Sequence, residues 1–484
     1  MAYLKDLLKQ VTYICTRGTM DCKVTHICHD SRQVVRGSMF ICLKGSREDG
    51  HDYLAQAIRK GAAVCVVSKH VWVEGDVTVI RVRNTSEAMA WIARNYYGAP
   101  AEAMQMIGIT GTKGKTTTAC MLYQMLKEAG VKCGLIGTLG VRRSDGLKKP
   151  GSNTTPDALV LQKELREMAD AGCSCCVMEV SSQGLKHYRV EGITFAIGIY
   201  TNLSMDHIGP GEHRSFREYA CCKKRLFERS RMICINADDK YHGFMTADLS
   251  APVYTYGIEQ PCDVKAEHII YERSSRGLNV TYQTTGWIKD EIVLKMPGTA
   301  NVYNSLAAME AAHLLGISPE TIRKTLRNVS VKGRIEEVRI SDKFDVVIDY
   351  AHNAASLESL IKTLRQYQPK RLVLLFGCGG NRSPLRRFQM GETAGRLSDV
   401  TILTSDNPRY EKPEAILSDI EQGMKRTKGK YKIIPDRREA ISYAVSRAQE
   451  GDLIVVAGKG HEEYQEIEGH FYPMNEREMI ENSR

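Results

Sequence analysis

The spacing of apolar and polar positions divides the chain into three regions. In the first, residues 1–99, short apolar runs such as 62–67 and 77–82 alternate with glycine-rich turns. Apolar residues recur at helical spacing over residues 1–14, which predicts an amphipathic helix there. Gly98 and Pro100 follow a helical stretch and predict the end of this region.

The second region, residues 100–331, alternates apolar strands with helices. Apolar runs of this kind are typical of parallel strands that are buried on both faces. The alternation predicts a mostly parallel sheet covered by helices. The predicted strands are 106–110, 133–137, 175–180 and 195–201, and the predicted helices include 115–129 and 301–315.

The third region, residues 332–484, continues the alternation in a regular way. It predicts a doubly wound, Rossmann-like domain. The sequence as a whole therefore predicts an α/β protein of three domains, with boundaries at 99/100 and 331/332. The strands of the third region are predicted at 345–348, 372–376, 400–403 and 453–456, and its helices at 356–367, 387–397, 413–425 and 437–449.

Composition narrows the class of protein. The formal charge is +10, but aromatic residues are only 7% and no basic stripe contains interleaved aromatics, which disfavours nucleic-acid binding. No apolar run approaches the roughly 20 residues that span a bilayer, and the N-terminus lacks the apolar core of a signal sequence. The fifteen cysteines are scattered without paired CxxC motifs, so free thiols in a reducing compartment are expected. We therefore expect a cytoplasmic protein without membrane insertion.

A glycine-rich loop between a predicted strand and a predicted helix carries the strongest chemical signal. Its sequence is a shortened phosphate loop, because Ile109 stands where the full Walker pattern has glycine. Lys115 would neutralise nucleotide phosphates, and the Thr116 hydroxyl would bind Mg²⁺. By itself the loop predicts only a nucleotide-binding protein, and the competing interpretation is a glycine-rich turn without a ligand. The residues predicted to bind ATP here are Gly111, Thr112, Lys113, Gly114, Lys115, Thr116 and Thr117.

The phosphate loop and the motifs around it resemble those of the Mur ligase family, the amino-acid ligases of peptidoglycan synthesis. Because many motifs occur in the family's order over most of the chain, the resemblance is specific. The matching motifs are His29-Asp30-Ser31-Arg32, Asp49-Gly50-His51, Asn153-Thr154-Thr155-Pro156, Glu179-Val180-Ser181-Ser182, Thr201-Asn202-Leu203-Ser204, Asp206-His207, Asn301 with Asn304, Asp349-Tyr350-Ala351-His352, Phe376-Gly377-Cys378-Gly379-Gly380, Asp406-Asn407-Pro408-Arg409 and Gly458-Lys459-Gly460-His461-Glu462.

The resemblance implies an N-terminal UDP-binding domain, a central ATPase domain and a C-terminal amino-acid-binding domain. It implies that ATP converts a substrate carboxylate to an acyl phosphate, which an amine then attacks. It also implies that Lys115, Glu179, His207 and Lys223 are catalytic, and that Lys223 is carboxylated to N6-carboxylysine. The implied Mg²⁺ ligands are Thr116, Glu179, His207 and Lys223.

Two of these assignments have competing interpretations from the residues alone. Glu179 could be half of a structural salt bridge. Lys223, Lys224 and Arg225 form a basic run that could be solvated, and Lys224 is the alternative candidate for the modified lysine.

The resemblance implies three further sets of contacts. Additional contacts to ATP are expected from Asn304, Arg334, Asp349 and His352. The UDP-sugar peptide is expected to contact Ser31, Asn153, Thr154, Thr155, Ser182 and Arg189. The incoming amino acid is expected to contact Arg382, Asp406, Asn407, Pro408, Arg409, Gly458 and Glu462.

The motif Asp406-Asn407-Pro408-Arg409 resembles the version found in family members that add meso-diaminopimelate, and this resemblance implies that meso-diaminopimelate is the incoming amino acid. Arg409 could bind its distal carboxylate bidentately, with Glu462 facing the ammonium group. The expected substrates are then UDP-N-acetylmuramoyl-L-alanyl-D-glutamate, ATP and meso-diaminopimelate, bound by a monomer.

Three alternatives stay open at this point. The first is the same ligase chemistry with L-lysine or another amine. The second is a non-catalytic nucleotide-binding homologue, since Lys113, Gln183 and residues 381–383 depart from the family pattern. The third and weakest is a nucleic-acid motor, for which no helicase-like motif follows the loop.

Overall fold

The structure is a computed structural model that describes residues 2–45, 48–149, 151, 153–209, 211–274 and 277–483. The chain forms two compact units. The first contains Met1–Asp263 and Leu306–Thr321, and the second contains Val264–Ser305 and Ile322–Arg484.

The N-terminal part of the first unit is built on a five-stranded sheet of order β2-β7-β6-β5-β4, parallel except for β2. Apolar residues of this sheet pack against α1 and α3. The strands are β1 (Ala2–Tyr3), β2 (Tyr13–Arg17), β3 (Lys23–Val24), β4 (His26–Cys28), β5 (Ser38–Ile41), β6 (Ala62–Val67) and β7 (Thr78–Val82), and the helices are α1 (Leu4–Leu7), α2 (Leu54–Arg59) and α3 (Thr85–Tyr96).

The helix predicted over residues 1–14 is wrong in extent. Helix α1 covers only Leu4–Leu7, because Ala2–Tyr3 pairs with β3 as a strand. Gln10 then takes a φ of +66° before β2 begins at Tyr13. The leucines of α1 are buried as their spacing predicts, so tertiary strand pairing has shortened the helix without changing which face is covered.

The central sheet of the first unit confirms the prediction of a mostly parallel sheet. Strands β9, β12, β8, β13, β14 and β15 are adjacent in this order and parallel, while β10 and β11 extend one edge in antiparallel fashion. The strands are β8 (Gln105–Thr110), β9 (Cys133–Gly137), β10 (Gly140–Arg142), β11 (Lys148–Lys149), β12 (Cys175–Glu179), β13 (Phe195–Tyr200), β14 (Ser230–Asn236) and β15 (Val253–Gly257), and the helices are α4 (Lys115–Glu128), α5 (Ala158–Asp170), α6 (Ser182–Lys186), α7 (Phe216–Lys224) and α8 (His242–Thr246).

The second unit contains an antiparallel sheet and a doubly wound sheet. The antiparallel sheet consists of β16 (Val264–Ser274), β17 (Gly277–Gly286) and β18 (Glu291–Leu294). The doubly wound sheet has the order β19-β20-β24-β21-β22-β23 and is parallel except at β19. This arrangement confirms the Rossmann-like prediction.

The remaining elements follow in chain order. The helices are α9 (Thr299–Leu314), α10 (Pro319–Asn328), α11 (Ala354–Arg365), α12 (Pro384–Leu397), α13 (Pro413–Met424), α14 (Arg437–Ser446) and α15 (Glu476–Glu481). The strands are β19 (Glu336–Glu337), β20 (Asp345–Asp349), β21 (Arg371–Phe376), β22 (Val400–Leu403), β23 (Lys430–Ile433), β24 (Asp452–Ala457), β25 (Tyr464–Ile467) and β26 (His470–Pro473). Within the described ranges, no helix is long and apolar enough to cross a membrane.

Candidate active site

Four adjacent parallel strands of the first unit end at motifs that the sequence singled out. Strand β9 leads to Thr138, β12 ends at Glu179, β8 leads into the phosphate loop, and β13 leads to Thr201. Because the carboxyl ends of parallel strands share one edge of a sheet, these groups lie side by side.

The phosphate loop has the shape of an anion site. Gly114 has a φ of +88°, a left-handed conformation that favours glycine, and it precedes the N-terminus of α4. The positive end of the α4 dipole therefore points at the loop. Lys115 donates from Nζ to the carbonyl oxygens of Gly111 and Thr112 at 2.8 and 3.1 Å. These bonds hold the ammonium group over the loop.

The segment after β13 braces the phosphate loop. The Thr201 hydroxyl donates to the carbonyl oxygen of Lys113 at 2.6 Å, and the Lys113 amide donates to Asn202 Oδ1 at 3.0 Å. The Thr112 amide donates to the carbonyl oxygen of Asn202 at 2.9 Å. The Lys113 side chain itself is exposed, so this departure from the family pattern leaves the loop's bracing intact.

Glu179 is buried and held by hydroxyl and amide donors. Thr116 Oγ1 donates to Glu179 Oε2 at 2.8 Å, and the Thr138 amide donates to Oε1 at 2.8 Å. A Cβ on Gly137 would lie 2.2 Å from Oε1, so the carboxylate fits only against glycine. In the described residues no basic side chain forms a salt bridge with Glu179, and the salt-bridge interpretation is not supported.

Lys223 is buried at the same loop. It is 1% exposed, its Nζ donates to the carbonyl oxygen of Gly111 at 2.7 Å, and it lies 4.6 Å from the centroid of the Tyr219 ring. Burial, reinforced by the positive charge of Lys115, holds the pKa of Lys223 well below its usual range. Lys224 is only partly buried. The solvated-run interpretation is therefore wrong for Lys223.

His207 lies at the rim of this site. Its side chain is 48% exposed, and its Nδ1 lies 3.1 Å from Glu212 Oε1. His213, in the same loop, is fully buried with its Nε2 2.9 Å from Ser182 Oγ. The structure thus brings Thr116 and Glu179 together, whereas His207 is turned toward Glu212.

The oxygen donors of this site fit a hard cation. Mg²⁺ prefers oxygen ligands, usually takes one or two carboxylates from the protein, and completes its shell with water and substrate phosphates. The Thr116 hydroxyl and the Glu179 carboxylate match that requirement. No cluster of three or more His, Cys, Asp or Glu side chains that could hold a metal occurs in the part of the chain that the structure describes. The ammonium group of an unmodified Lys223 is itself positively charged and cannot act as a ligand of a cation.

Residues predicted to bind the UDP-sugar peptide lie next to Glu179. Thr154 Oγ1 lies 3.1 Å from Thr138 Oγ1, and the Thr155 hydroxyl donates to the carbonyl oxygen of Glu179 at 2.9 Å. Arg189 donates from Nη1 to the carbonyl oxygen of Thr155 at 2.7 Å. Burial lowers the pKa of Arg189, so an anionic ligand there would stabilise its charge.

Ser31 and Asn153 are placed differently. Ser31 begins a short 3₁₀ helix, and its hydroxyl donates to Gln56 Oε1 at 3.0 Å. The ammonium group of Lys60 donates to the carbonyl oxygen of Ser31 at 3.1 Å. Asn153 is exposed. Substrate contacts by these two residues stay predictions.

In the second unit, Arg334, Asp349 and His352 gather where β20 ends. The Arg334 guanidinium lies 4.8 Å from the centroid of the Tyr350 ring, and His352 Nδ1 lies 2.9 Å from the carbonyl oxygen of Tyr350. Asp349 accepts the backbone N–H of Ile335 at 2.8 Å. The cluster offers a cation and an aromatic ring, which are suitable partners for a nucleotide.

Asn304 lies in α9. It is buried, and its Nδ2 donates to Asn301 Oδ1 at 3.0 Å. Asn301 in turn donates from Nδ2 to the carbonyl oxygen of Pro297 at 2.8 Å. This chain of bonds fixes the amide of Asn304, whose contact with ATP stays a prediction.

The predicted amino-acid pocket lies where β22 and β24 end. Lys459 is fully buried and donates from Nζ to Asn407 Oδ1 at 2.7 Å and to Glu462 Oε2 at 3.2 Å. Asn407 Nδ2 donates to Glu462 Oε2 at 2.9 Å. A Cβ on Gly458 would lie 2.8 Å from Asp406 Oδ2, so the two segments approach closely. The polar groups of this pocket form one connected network.

Arg409 stands at the side of this network and is a quarter exposed. Its Nε donates to Glu466 Oε2 at 2.9 Å, and its Nη1 donates to the carbonyl oxygen of Gly380 at 2.7 Å. Pro408 is buried, while Arg382 is exposed. The structure gives Arg382 no hydrogen bond or ion pair in the described residues, so its role in the pocket stays a prediction.

Sequence reasoning missed several side chains that hold these sites. Lys459 had a signal, because it stands between the assigned Gly458 and Glu462. Thr138 and Glu466 lie outside the matching motifs and had none. Arg387 is 2% exposed and binds both oxygens of Glu411, which supports the loop after β21.

Comparisons with known proteins give the class of this protein. The Mur ligase family catalytic domain matches residues 23–97, the Mur ligase middle domain matches 109–312, and the Mur ligase glutamate ligase domain matches 333–460. The chain belongs to the Mur ligase family. The expectation of an ATP-dependent acid–amino-acid ligase is confirmed at this level.

Individual relatives share one name. A UDP-N-acetylmuramoyl-L-alanyl-D-glutamate–2,6-diaminopimelate ligase of Caldanaerobacter subterraneus subsp. tengcongensis is 41% identical over 478 residues, which cover 99% of this chain and 98% of the relative. A ligase of the same name from Geobacillus kaustophilus is 42% identical over 451 residues, 90% of each chain. A solved structure of a ligase of that name has a TM-score of 0.68 and 29% identity, covering 95% of this chain and 94% of the other.

Proposed function

We propose that this chain ligates meso-2,6-diaminopimelate to the D-glutamate carboxylate of UDP-N-acetylmuramoyl-L-alanyl-D-glutamate, with ATP as co-substrate, in peptidoglycan precursor synthesis. The observation that carries the reaction class is the Thr116–Glu179 pair beside the phosphate loop. The names of the relatives support the choice of substrates. Arg409, whose guanidinium suits a distal carboxylate, agrees with that choice.

The chain's own residues account for the first step. Lys115 and the N-terminus of α4 bind the phosphates of ATP and neutralise their charge. Thr116 and Glu179 would hold Mg²⁺, which when bound offsets the repulsion between the γ-phosphate and the substrate carboxylate. Arg189, beside Thr155, would orient the anionic part of the UDP-sugar peptide. Transfer of the γ-phosphoryl group to the carboxylate releases ADP and leaves an acyl phosphate.

The second step needs a positioned amine. Attack of the amino group on the acyl carbon forms the C–N bond. The C–O bond to the phosphate breaks, phosphate leaves, and the amine loses a proton. Asn407, Glu462 and Arg409 would bind the far end of diaminopimelate and so orient its reacting amine.

We also propose that Lys223 is carboxylated. Lys223 is buried, and its Nζ donates to the carbonyl oxygen of Gly111, which also accepts from Lys115. A second buried ammonium group at this carbonyl is unfavourable. Addition of the amine to CO₂ with loss of a proton gives a carbamate, an anion that suits a site for cations and phosphates. ¹³C NMR after incubation with labelled bicarbonate should show one carbamate signal that Lys223→Ala removes and Lys224→Ala keeps. A signal that survives Lys223→Ala would contradict this assignment.

The setting follows from the chemistry. All fifteen cysteines are free, which suits a reducing compartment, and ATP and UDP-linked precursors are cytoplasmic substrates. We therefore propose a cytoplasmic enzyme. We also propose that it acts as a monomer.

Release of phosphate by the purified protein tests the reaction class. Turnover should require ATP, the UDP-linked dipeptide and diaminopimelate together. Lys115→Ala should reduce it by at least about 100-fold, because the phosphates lose their principal cation. Lys127→Ala, exposed on the same helix, is the matched control and should turn over normally. Undiminished turnover by Lys115→Ala would overturn the assignment of the phosphate loop.

A further inference from the structure

A glutamate outside the family motifs is bonded to the arginine of the predicted amino-acid pocket. Glu466 lies in β25, and its Oε2 accepts from Arg409 Nε at 2.9 Å. The backbones are also joined, because the Arg409 amide donates to the carbonyl oxygen of Glu466 at 3.0 Å and the Glu468 amide donates to that of Arg409 at 2.7 Å. Both side chains are mostly buried, at 25% and 20% exposed. The pair is therefore fixed by backbone as well as side-chain contacts.

The guanidinium of Arg409 still has donors to offer. A guanidinium carries five N–H groups. Glu466 takes the Nε proton and Gly380 takes one Nη1 proton, while Nη2 has no hydrogen-bond partner within the described ranges. The terminal edge formed by Nη1 and Nη2 can thus receive a carboxylate while Glu466 stays in place.

The other glutamate of the pocket is engaged elsewhere. Glu462 Oε2 accepts from Asn407 Nδ2 at 2.9 Å and from Lys459 Nζ at 3.2 Å. Lys459 balances the charge of Glu462, and Glu466 balances the charge of Arg409. The charges of Glu462 and Arg409 are therefore each balanced by a partner before any acceptor binds.

We infer that Glu466 is a specificity-determining residue that sets how strongly Arg409 selects an acceptor with a distal carboxylate. This inference rests on the proposed function, in which Arg409 receives the distal carboxylate of diaminopimelate. The negative charge of Glu466 weakens the attraction of Arg409 for that carboxylate. It also removes most of the penalty for an acceptor such as L-lysine, which would otherwise leave a partly buried arginine unpaired.

The consequence is a moderated selectivity. Without a counter-charge, Arg409 would be paired when diaminopimelate is bound and unpaired when lysine is bound. It would therefore favour diaminopimelate strongly. With Glu466 in place, Arg409 is satisfied in either case, and the difference between the two acceptors narrows.

The variant Glu466→Gln separates charge from orientation, because its amide oxygen can still accept from Arg409 Nε. We expect the KM for diaminopimelate to fall, kcat with diaminopimelate to stay within about twofold, and the ratio of kcat/KM for diaminopimelate over lysine to rise about tenfold, a change typical of one moderate charge interaction. Glu466→Ala, which also removes the oxygen that accepts from Arg409 Nε, should raise the same ratio but lower the KM for diaminopimelate by less.

Glu468→Gln is the matched control, because it removes the same charge two residues away, from an exposed side chain, and leaves the bond between Glu466 and Arg409 in place. Its ratio should equal that of the wild type. An unchanged or lower ratio in both Glu466 variants, with an active wild type, would overturn this inference alone. A wild type that ligates no diaminopimelate would overturn the proposed function and the inference with it.

Discussion

At the scale of single residues, the carbonyl oxygen of Gly111 is the point where two lysines meet. Lys115 and Lys223 approach it from different helices at 2.8 and 2.7 Å. Two ammonium groups on one carbonyl repel each other, and burial makes the repulsion stronger. This contact explains why the lysine at 223, rather than its neighbour Lys224, has the environment of a modified residue.

In the proposed function, Glu179 supplies the carboxylate of the cation site. Glu179→Gln keeps the shape but places an amide where Thr116 and Thr138 donate. We expect kcat to fall at least about 100-fold and the Mg²⁺ concentration for half-maximal rate to rise. Steady-state kinetics over a Mg²⁺ titration measure both. Glu74→Gln, on an exposed loop, is the control, and wild-type rates from Glu179→Gln at ordinary Mg²⁺ would refute the role.

His461 should make stability depend on pH. Burial, followed by the charges of Arg334 and Lys332, lowers the pKa of His461 from 6.5 to about 4. The folded state keeps it neutral, whereas the unfolded chain binds a proton near the usual pKa, so the free energy of unfolding falls as pH drops from 7 toward 4.

Urea unfolding of the full chain at about pH 7 and pH 5 tests this expectation. His461→Gln should remove about 1–2 kcal/mol of the pH dependence, and His470→Gln, which alters an exposed histidine, should remove none. Equal pH dependence in the wild type and His461→Gln would count against a neutral His461.

Residues within ordered motifs could be found from the sequence, because each motif places several side chains on one strand end. Glu179 and Arg409 are examples. Thr138 and Glu466 could not be found in this way, because each matters through a contact with a residue far away in the sequence. The separation is 41 positions for Thr138 and Glu179, and 57 positions for Glu466 and Arg409. Nothing local in the sequence marks such partners.

At the scale of elements, periodicity predicted the parallel strands well. Short apolar runs such as β12, which is five residues long and buried on both faces, are too short for a typical helix and are therefore assigned as strands. The predicted length of the N-terminal helix was wrong because it depends on a contact with a distant strand. A helix of a few residues is marginal alone, and the pairing of Ala2–Tyr3 with β3 decided its length.

The contact between α12 and α13 depends on glycine. A Cβ on Gly391 would lie 2.1 Å from the carbonyl oxygen of Ile420, and that atom belongs to the backbone and cannot move aside alone. Gly391→Ala should therefore force the helices apart and cost about 1–3 kcal/mol. The apparent midpoint of thermal unfolding measures the loss.

Arg396→Ala on the exposed face of α12 is the matched control and should change stability by less than about 0.5 kcal/mol. If Gly391→Ala unfolds with the wild-type midpoint, the close approach of the two helices is not needed for stability.

At the scale of the whole molecule, the order of domains follows from the order of motifs. The boundaries at 99/100 and 331/332 remain predictions, because the compact units divide the chain differently and assign 264–305 to the second unit. An apolar strand looks the same in sequence whichever unit it packs with, so this grouping could not be read from periodicity.

The molecule as a whole selects one acceptor substrate. In the proposed function, Arg409 and Asn407 favour an acceptor with a distal carboxylate, and Glu466 limits how far that preference extends. This preference among acceptors has to be measured on the intact enzyme, because ligation requires both activation of the carboxylate and binding of the acceptor.

Competition between two acceptors measures this selection. The purified protein receives ATP, Mg²⁺, UDP-N-acetylmuramoyl-L-alanyl-D-glutamate and equal amounts of meso-diaminopimelate and L-lysine, and mass spectrometry identifies the product. We expect the UDP-linked tripeptide containing diaminopimelate to predominate and to form together with an equimolar amount of phosphate. A product that contains mainly lysine, or no tripeptide at all, would contradict it.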